Sequence, residues 1–144
     1  MKTKSLAIFL IAGGLLAECG GGSTSTTPPP HVTPTQTPSG NSVLATQTID
    51  GGPAFVTSTG FAVYKFNGDT QPDKSTCTGS CASVWPAVPP PSSGSLPNPW
   101  SAFTRSDGTM QLAYKGKPLY TFVNDTQPGV ATGNGVNGFS IARP

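Results

Sequence analysis

Between residues 42 and 144 the sequence contains no histidine and no glutamate. That absence removes the base from any Ser-His-Asp or Cys-His arrangement in this region. It also removes the side chain that most often carries protons near neutral pH. The carboxylates left there are Asp50, Asp69, Asp73, Asp107 and Asp125. No glycine-rich phosphate loop leading into a helix is present either. The expectation is a protein that is not an enzyme, with no catalytic residue, no metal and no cofactor. Charge is scarce as well, at 10% of residues against the roughly 25% of ordinary soluble domains. With a formal net charge of +2, the chain lacks the field that draws nucleic acid to a basic surface, so no nucleic-acid partner is expected. Its longest apolar run, residues 6–16, falls short of the about 20 residues a bilayer-spanning helix requires.

What the first residues do contain is an export pattern. Lys2 and Lys4 precede the apolar run, which ends in Leu16-Ala17-Glu18-Cys19 and then three glycines. The lengths and flanks suit a signal peptide over residues 1–18. The end of the run resembles a bacterial lipobox, in which the cysteine is diacylated and becomes the mature N-terminus. Glu18 departs from the Gly, Ala or Ser usual before that cysteine. The alternative is a plain secretory signal cleaved near Ala17, with Cys19 a stray thiol. Cysteine arithmetic bears on the choice, because exported proteins tend to pair their thiols and this chain has three. Lipidation of Cys19 leaves Cys77 and Cys81 as a pair. The expected location is extracytoplasmic, in a bacterial envelope, with the membrane as a partner through the lipid. Residues 19–41 then read as a tether. They are uncharged, and Val32 is their one large aliphatic side chain, so they cannot bury enough surface to offset the entropy of ordering. His31, alone in this segment, is expected to be inert.

The remaining chain, 42–144, is a duplication. Tyr64-Lys65-Phe66-Asn67-Gly68-Asp69-Thr70-Gln71-Pro72 returns 56 positions later as Tyr120-Thr121-Phe122-Val123-Asn124-Asp125-Thr126-Gln127-Pro128. Gly60 maps onto Gly116 at the same offset, and Asp50-Gly51 onto Asp107-Gly108 with a one-residue slip. Glycine and proline, 18 and 16 in number, interrupt the domain too often for helices of ordinary length. Met110, Leu112 and Tyr114 alternate with Gln111, Ala113 and Lys115, which predicts a strand with one apolar face. Gly116-Lys117 suits a tight hairpin turn, and Tyr120 and Phe122 share a face of the following strand. The first copy predicts strands over 55–57 and 62–66. The fold class expected is all-β: a small antiparallel domain of two tandem hairpin repeats related by an approximate two-fold, with a short helical turn at the C-x3-C segment. Repeat 1 covers about 45–86, a linker loop 87–99, and repeat 2 about 100–144. A single hairpin is unstable alone, so the copies must share a core.

Tyr-x-Phe-x-x-Asp in tandem, with Cys77-Thr78-Gly79-Ser80-Cys81-Ala82-Ser83-Val84-Trp85-Pro86 after the first copy, resembles the bacterial lipoproteins called secreted repeat of unknown function. The Arg105-x-Asp107-Gly108-x-x-Gln111 and Gly116-x-Pro118-Leu119-Tyr120 runs agree with it. The resemblance spans the whole duplicated region. It implies an exported β-rich domain from a family without an established activity.

Three sets of residues remain open. Cys77 and Cys81 lie one helical turn apart, within reach of a disulfide; the other use of the pair is a redox or thiolate-metal site. Asp69 and Asp125 are expected to cap turns at strand exits, where water reaches them; the other use is a carboxylate ligand for calcium, with Asp73 assisting the first. Tyr64, Phe66, Tyr120, Phe122 and the loop residue Trp85 are expected in the core, or else on an aromatic binding surface. Together these predict a lipid-anchored envelope protein that binds something or fills a structural role, with an envelope protein or small ligand as partner. The alternative is a redox or metal-handling domain built on Cys77 and Cys81.

Overall fold

Strand β1 (Ala45–Ile49) reverses into β2 (Gly52–Val56) through Asp50 and Gly51 in a computed structural model that describes residues 43–144. Both turn residues have positive φ, 49° and 74°, the backbone that a two-residue hairpin needs and that Asp and Gly tolerate. The same turn joins β5 (Met110–Tyr114) to β6 (Lys117–Tyr120), with φ of 51° at Lys115 and 72° at Gly116. The turn therefore lies one residue earlier than Gly116-Lys117. Between β4 (Trp100–Thr104) and β5 the connection is longer, residues 105–109 in place of two, with Gly108 at φ 82°. The expectations for residues 1–18 and 19–41, including Cys19 and His31, lie outside the described residues.

The strands form a two-stranded sheet, β1-β2, and a five-stranded sheet of order β4-β5-β6-β3-β7, where β3 is Tyr64–Phe66 and β7 is Phe139–Ile141. Every pairing is antiparallel. The predicted alternation in β5 needs correction. Met110 is 46% exposed while Gln111, Leu112 and Ala113 are all buried. Both faces of this strand are covered, so a period-two pattern does not apply. Gln111 is accommodated because its side-chain amide donates to the Leu119 carbonyl (2.8 Å) and its oxygen accepts from Arg105.

The two repeats are joined by exchange. The segment that follows repeat 1 leaves the short helix α1 (Ser80–Val84) and runs against repeat 2. Ala87 bridges Tyr120, the Val88 amide donates to the Leu119 carbonyl (2.9 Å), and the Leu112 amide donates to the Val88 carbonyl (2.8 Å). The segment that follows repeat 2 does the same to repeat 1. Ile141 pairs with Tyr64, the Ala142 amide donates to the Val63 carbonyl (2.8 Å), and the Phe55 amide donates to the Ala142 carbonyl (2.9 Å). The linker loop thus starts after Val88 rather than at Ala87. A second exchange links the hairpin turns: the Gly129 amide donates to the Gly60 carbonyl (3.0 Å) and the Asp73 amide to the Gly116 carbonyl (2.9 Å). One buried cluster is built on Tyr64, Trp85, Tyr120 and Phe139, and a second on Phe55, Val63, Val88, Trp100, Leu112 and Leu119. Both draw side chains from both repeats.

Candidate functional site

The repeated Tyr-x-Phe segment places its two rings by strand periodicity, since residues two apart share a face. Tyr64 and Tyr120 are directly opposite one another in the β3–β6 pair. Both are fully buried. Each hydroxyl crosses to the other repeat: Tyr64 donates to Asp125 Oδ2 (2.7 Å) and Tyr120 to Asp69 Oδ2 (2.5 Å). The second oxygen of each aspartate closes its own loop. Asp69 Oδ1 accepts the amide (2.7 Å) and hydroxyl (2.8 Å) of Thr76, and Asp125 Oδ1 accepts the amide (2.9 Å) and hydroxyl (2.6 Å) of Thr132. These are buried carboxylates, with 0% exposure at Asp69 and 7% at Asp125. The expectation of water-accessible turn caps is corrected accordingly. They hold loops closed over seven residues, because the chain folds back above them. The simple two-residue Asx-turn occurs at Asp107, which accepts the Thr109 amide at 2.9 Å. Its carboxyl titrates below the usual range, chiefly through the Thr109 hydroxyl and amide and then through Arg105.

Desolvation, and next the bond to a carboxylate, push both tyrosine hydroxyls well above the usual phenol range. Each is held as a protonated donor.

The aromatic side chains repeat the exchange. Trp85 meets Tyr64 of its own repeat edge-on (5.3 Å) and stacks on Phe122 of the other (4.3 Å). Phe139 meets Tyr120 edge-on (5.3 Å) and stacks on Phe66 (4.5 Å). Trp85 and Phe139 stack on each other with centroids 3.7 Å apart, which puts the pair at the centre of the two-fold relation. Trp85 is larger than its counterpart, and Gly133 makes room for it: a Cβ there would lie 2.6 Å from the indole ring. Repeat 1 has Cys77 at the matching position, bonded to Cys81 with a Cα separation of 5.2 Å. Both sulfurs are thereby used in a disulfide that anchors α1.

Around that disulfide lies a polar network in which Arg105, Gln111 and Tyr120 of repeat 2 meet Ser75 and Cys77 of repeat 1. Arg105 is buried and donates to Ser75 Oγ (3.0 Å), the Cys77 carbonyl (2.6 Å) and Gln111. Its Nε is 3.4 Å from Asp107. Ser75 Oγ lies 2.7 Å from the Tyr120 hydroxyl, so Arg105, Ser75, Tyr120 and Asp69 form one connected chain. The structural roles of Thr76 and Thr132 escaped the sequence reading, although the two stand at the repeat's own offset of 56 positions. Ser75 carries no such signal, since Ala131 stands at its offset. The other two aspartates are also engaged, Asp50 with Asn134 Nδ2 (3.2 Å) and Asp73 with the Ser101 hydroxyl (2.6 Å). Among the described residues, no group of three or more His, Cys, Asp or Glu side chains is placed to hold a metal ion.

The chain matches the family described as "Secreted repeat of unknown function" twice, over residues 45–89 and 101–143. It belongs to that family. The description is that of an extracytoplasmic protein with no established activity. No curated protein and no solved structure matches the chain. Each matched segment closes just after an exchanged residue, Val88 or Ala142. In this chain each matched repeat is therefore the unit that lends its last segment to the other copy.

Proposed function

We propose that the protein is a lipid-anchored envelope protein that displays a binding surface and performs no catalysis. The observation that carries this reading is the saturation of the repeated aspartates. Asp69 and Asp125 each accept three protein donors, so the repeat's signature residues are spent on holding the two copies together. Such a scaffold leaves recognition to its outer surface, where the two copies differ. The anchor is Cys19, whose surrounding sequence resembles a lipobox. Fractionation of Cys19→Ser cells should find the protein moved from the detergent phase to the aqueous phase. Retention in the detergent phase would overturn the lipid anchor. A turnover found for the protein and lost in Asp125→Asn, with the fold intact by near-ultraviolet circular dichroism, would overturn the non-catalytic role.

A further inference from the structure

A groove lies beside each exchanged segment. The first lies by Val88 and is lined by Val43, Leu44, Pro89, Pro90 and Leu112, with a volume of about 540 Å³. The second lies by Ala142, its counterpart, with a volume of about 300 Å³. The second groove has a partly apolar floor of Tyr114, Leu119 and Ala142, and its wall carries Lys65, Lys115, Lys117 and Arg143. Residues 43–144 contain six lysines and arginines in all. Four of them therefore line one small concavity, in a domain otherwise poor in charge. No aspartate lines it. Pro144 completes the lining, and among the described residues the ion pair is Arg105–Asp107, so none of these four cations is paired with an aspartate.

What the four do bond to leaves their charge in place. Lys117 Nζ donates to the Asp69 carbonyl (2.8 Å), and the Arg143 guanidinium donates to the carbonyls of Pro53 (3.0 Å) and Ile49 (3.2 Å). Lys115 Nζ lies 4.9 Å from the Tyr114 ring centroid. Like charges gathered without counter-charges repel one another and oppose folding. Those bonds give Lys117 and Arg143 a structural use, whereas Lys65 makes no such bond among the described residues. At the corresponding positions of the other repeat stand Thr121 for Lys65, Phe61 for Lys117 and Pro89 for Arg143, and of these Pro89 lines the first groove, whose lining carries no charged residue. The scaffold is thus built once with a neutral groove and once with a cationic one.

We propose that the groove by Ala142 binds a small organic phosphate. A phosphate monoester carries about −1.5 to −2 charge near pH 7 and three strong acceptor oxygens, which suits a groove of a few hundred cubic ångströms lined by four cationic side chains. A single carboxylate would neutralise only one of them. The volume sits at the small end of ligand pockets, and the Tyr114–Leu119 floor receives the ester's organic body. This rests on the display role proposed above and specifies what one face of the domain displays itself to.

The test uses the full chain carrying Cys19→Ser, titrated with glycerol 3-phosphate at low ionic strength and followed by amide chemical shifts. Saturable shifts confined to Lys65, Lys117, Leu119, Ala142 and Arg143 are expected. Lys65→Glu should weaken binding about tenfold, while Lys74→Glu, the same charge change outside the groove, should weaken it less than about twofold. Three results would overturn the proposal: no saturable shift, an equal loss in both variants, or Lys65-dependent binding to phosphatidylglycerol vesicles without any response to glycerol 3-phosphate. The last outcome would make the groove a membrane-surface contact. The display role itself fails by a different result, the turnover measurement described above, which leaves this titration unchanged.

Discussion

At the residue scale, the two aspartates occupy matching places but have different fallbacks. Replacing either by asparagine keeps an acceptor for the threonine and turns the other oxygen into an N–H donor facing a tyrosine hydroxyl. Tyr120 can then donate to Ser75 Oγ, 2.7 Å away. Tyr64 has no such partner, since its oxygen already accepts the Gly133 amide at 3.3 Å. Its buried O–H would be left without an acceptor, at a cost of about 1–3 kcal/mol. Asp125→Asn should accordingly show a lower urea midpoint than Asp69→Asn, whose loss should be about 1 kcal/mol. Adding Ser75→Ala should bring Asp69→Asn down toward Asp125→Asn. Equal midpoints for the two single variants would show that Ser75 offers no rescue. None of this asymmetry was legible in the repeated Asp-Thr-Gln-Pro segments, which are identical in the two copies. It arises from Ser75 against Ala131, positions outside the visible motif.

At the element scale, turn chemistry was the most legible feature, because positive φ at Asp50-Gly51 is a local demand that the residue types announce, whereas at Lys115-Gly116 the glycine marked the turn and the lysine hid its register. The strand β5 was misjudged for a non-local reason. Gln111 is buried by an arginine from the preceding turn and a carbonyl from the next strand, and neither contact leaves a periodic trace. The exchange was also invisible, although the need for a shared core was not. It makes a specific demand on connectivity. Because the segments at Val88 and Ala142 each complete the opposite repeat, the loop joining the repeats is needed for proximity alone. Cleavage between Gly94 and Ser95, both exposed, should leave the halves together on gel filtration with their near-ultraviolet signal retained. Each half expressed alone should lack that signal, since a hairpin without its partner strands is marginal in water. A half that folds by itself would show that the exchanged segments are dispensable.

At the scale of the whole molecule, the duplication was readable because it is written in identities, and the two-fold relation followed from it. What the repeat could not announce is that its two tyrosines meet across the axis, each bonded to the other copy's aspartate. That meeting ties their ionisation to global unfolding. Below pH about 10, the ordinary phenol value, Tyr64 and Tyr120 are protonated in both the folded and the unfolded chain, and their bonds stabilise the fold in full. Above that value the unfolded chain releases these protons freely. The folded chain resists, because burial and the neighbouring carboxylates hold both hydroxyls protonated. The unfolded state then binds fewer protons than the folded one, so stability must fall as pH rises through 10 and beyond. The urea midpoint should therefore decline steadily between pH 9 and pH 11, with a shallower decline in Tyr64→Phe, which removes one of the two linked groups. Ring resonances of labelled Tyr64 and Tyr120 should report phenolate only as the folded spectrum disappears. If either ring ionises near pH 10 while the folded spectrum persists, then the two hydroxyls are open to solvent and the cross-repeat bonds do not hold the copies together.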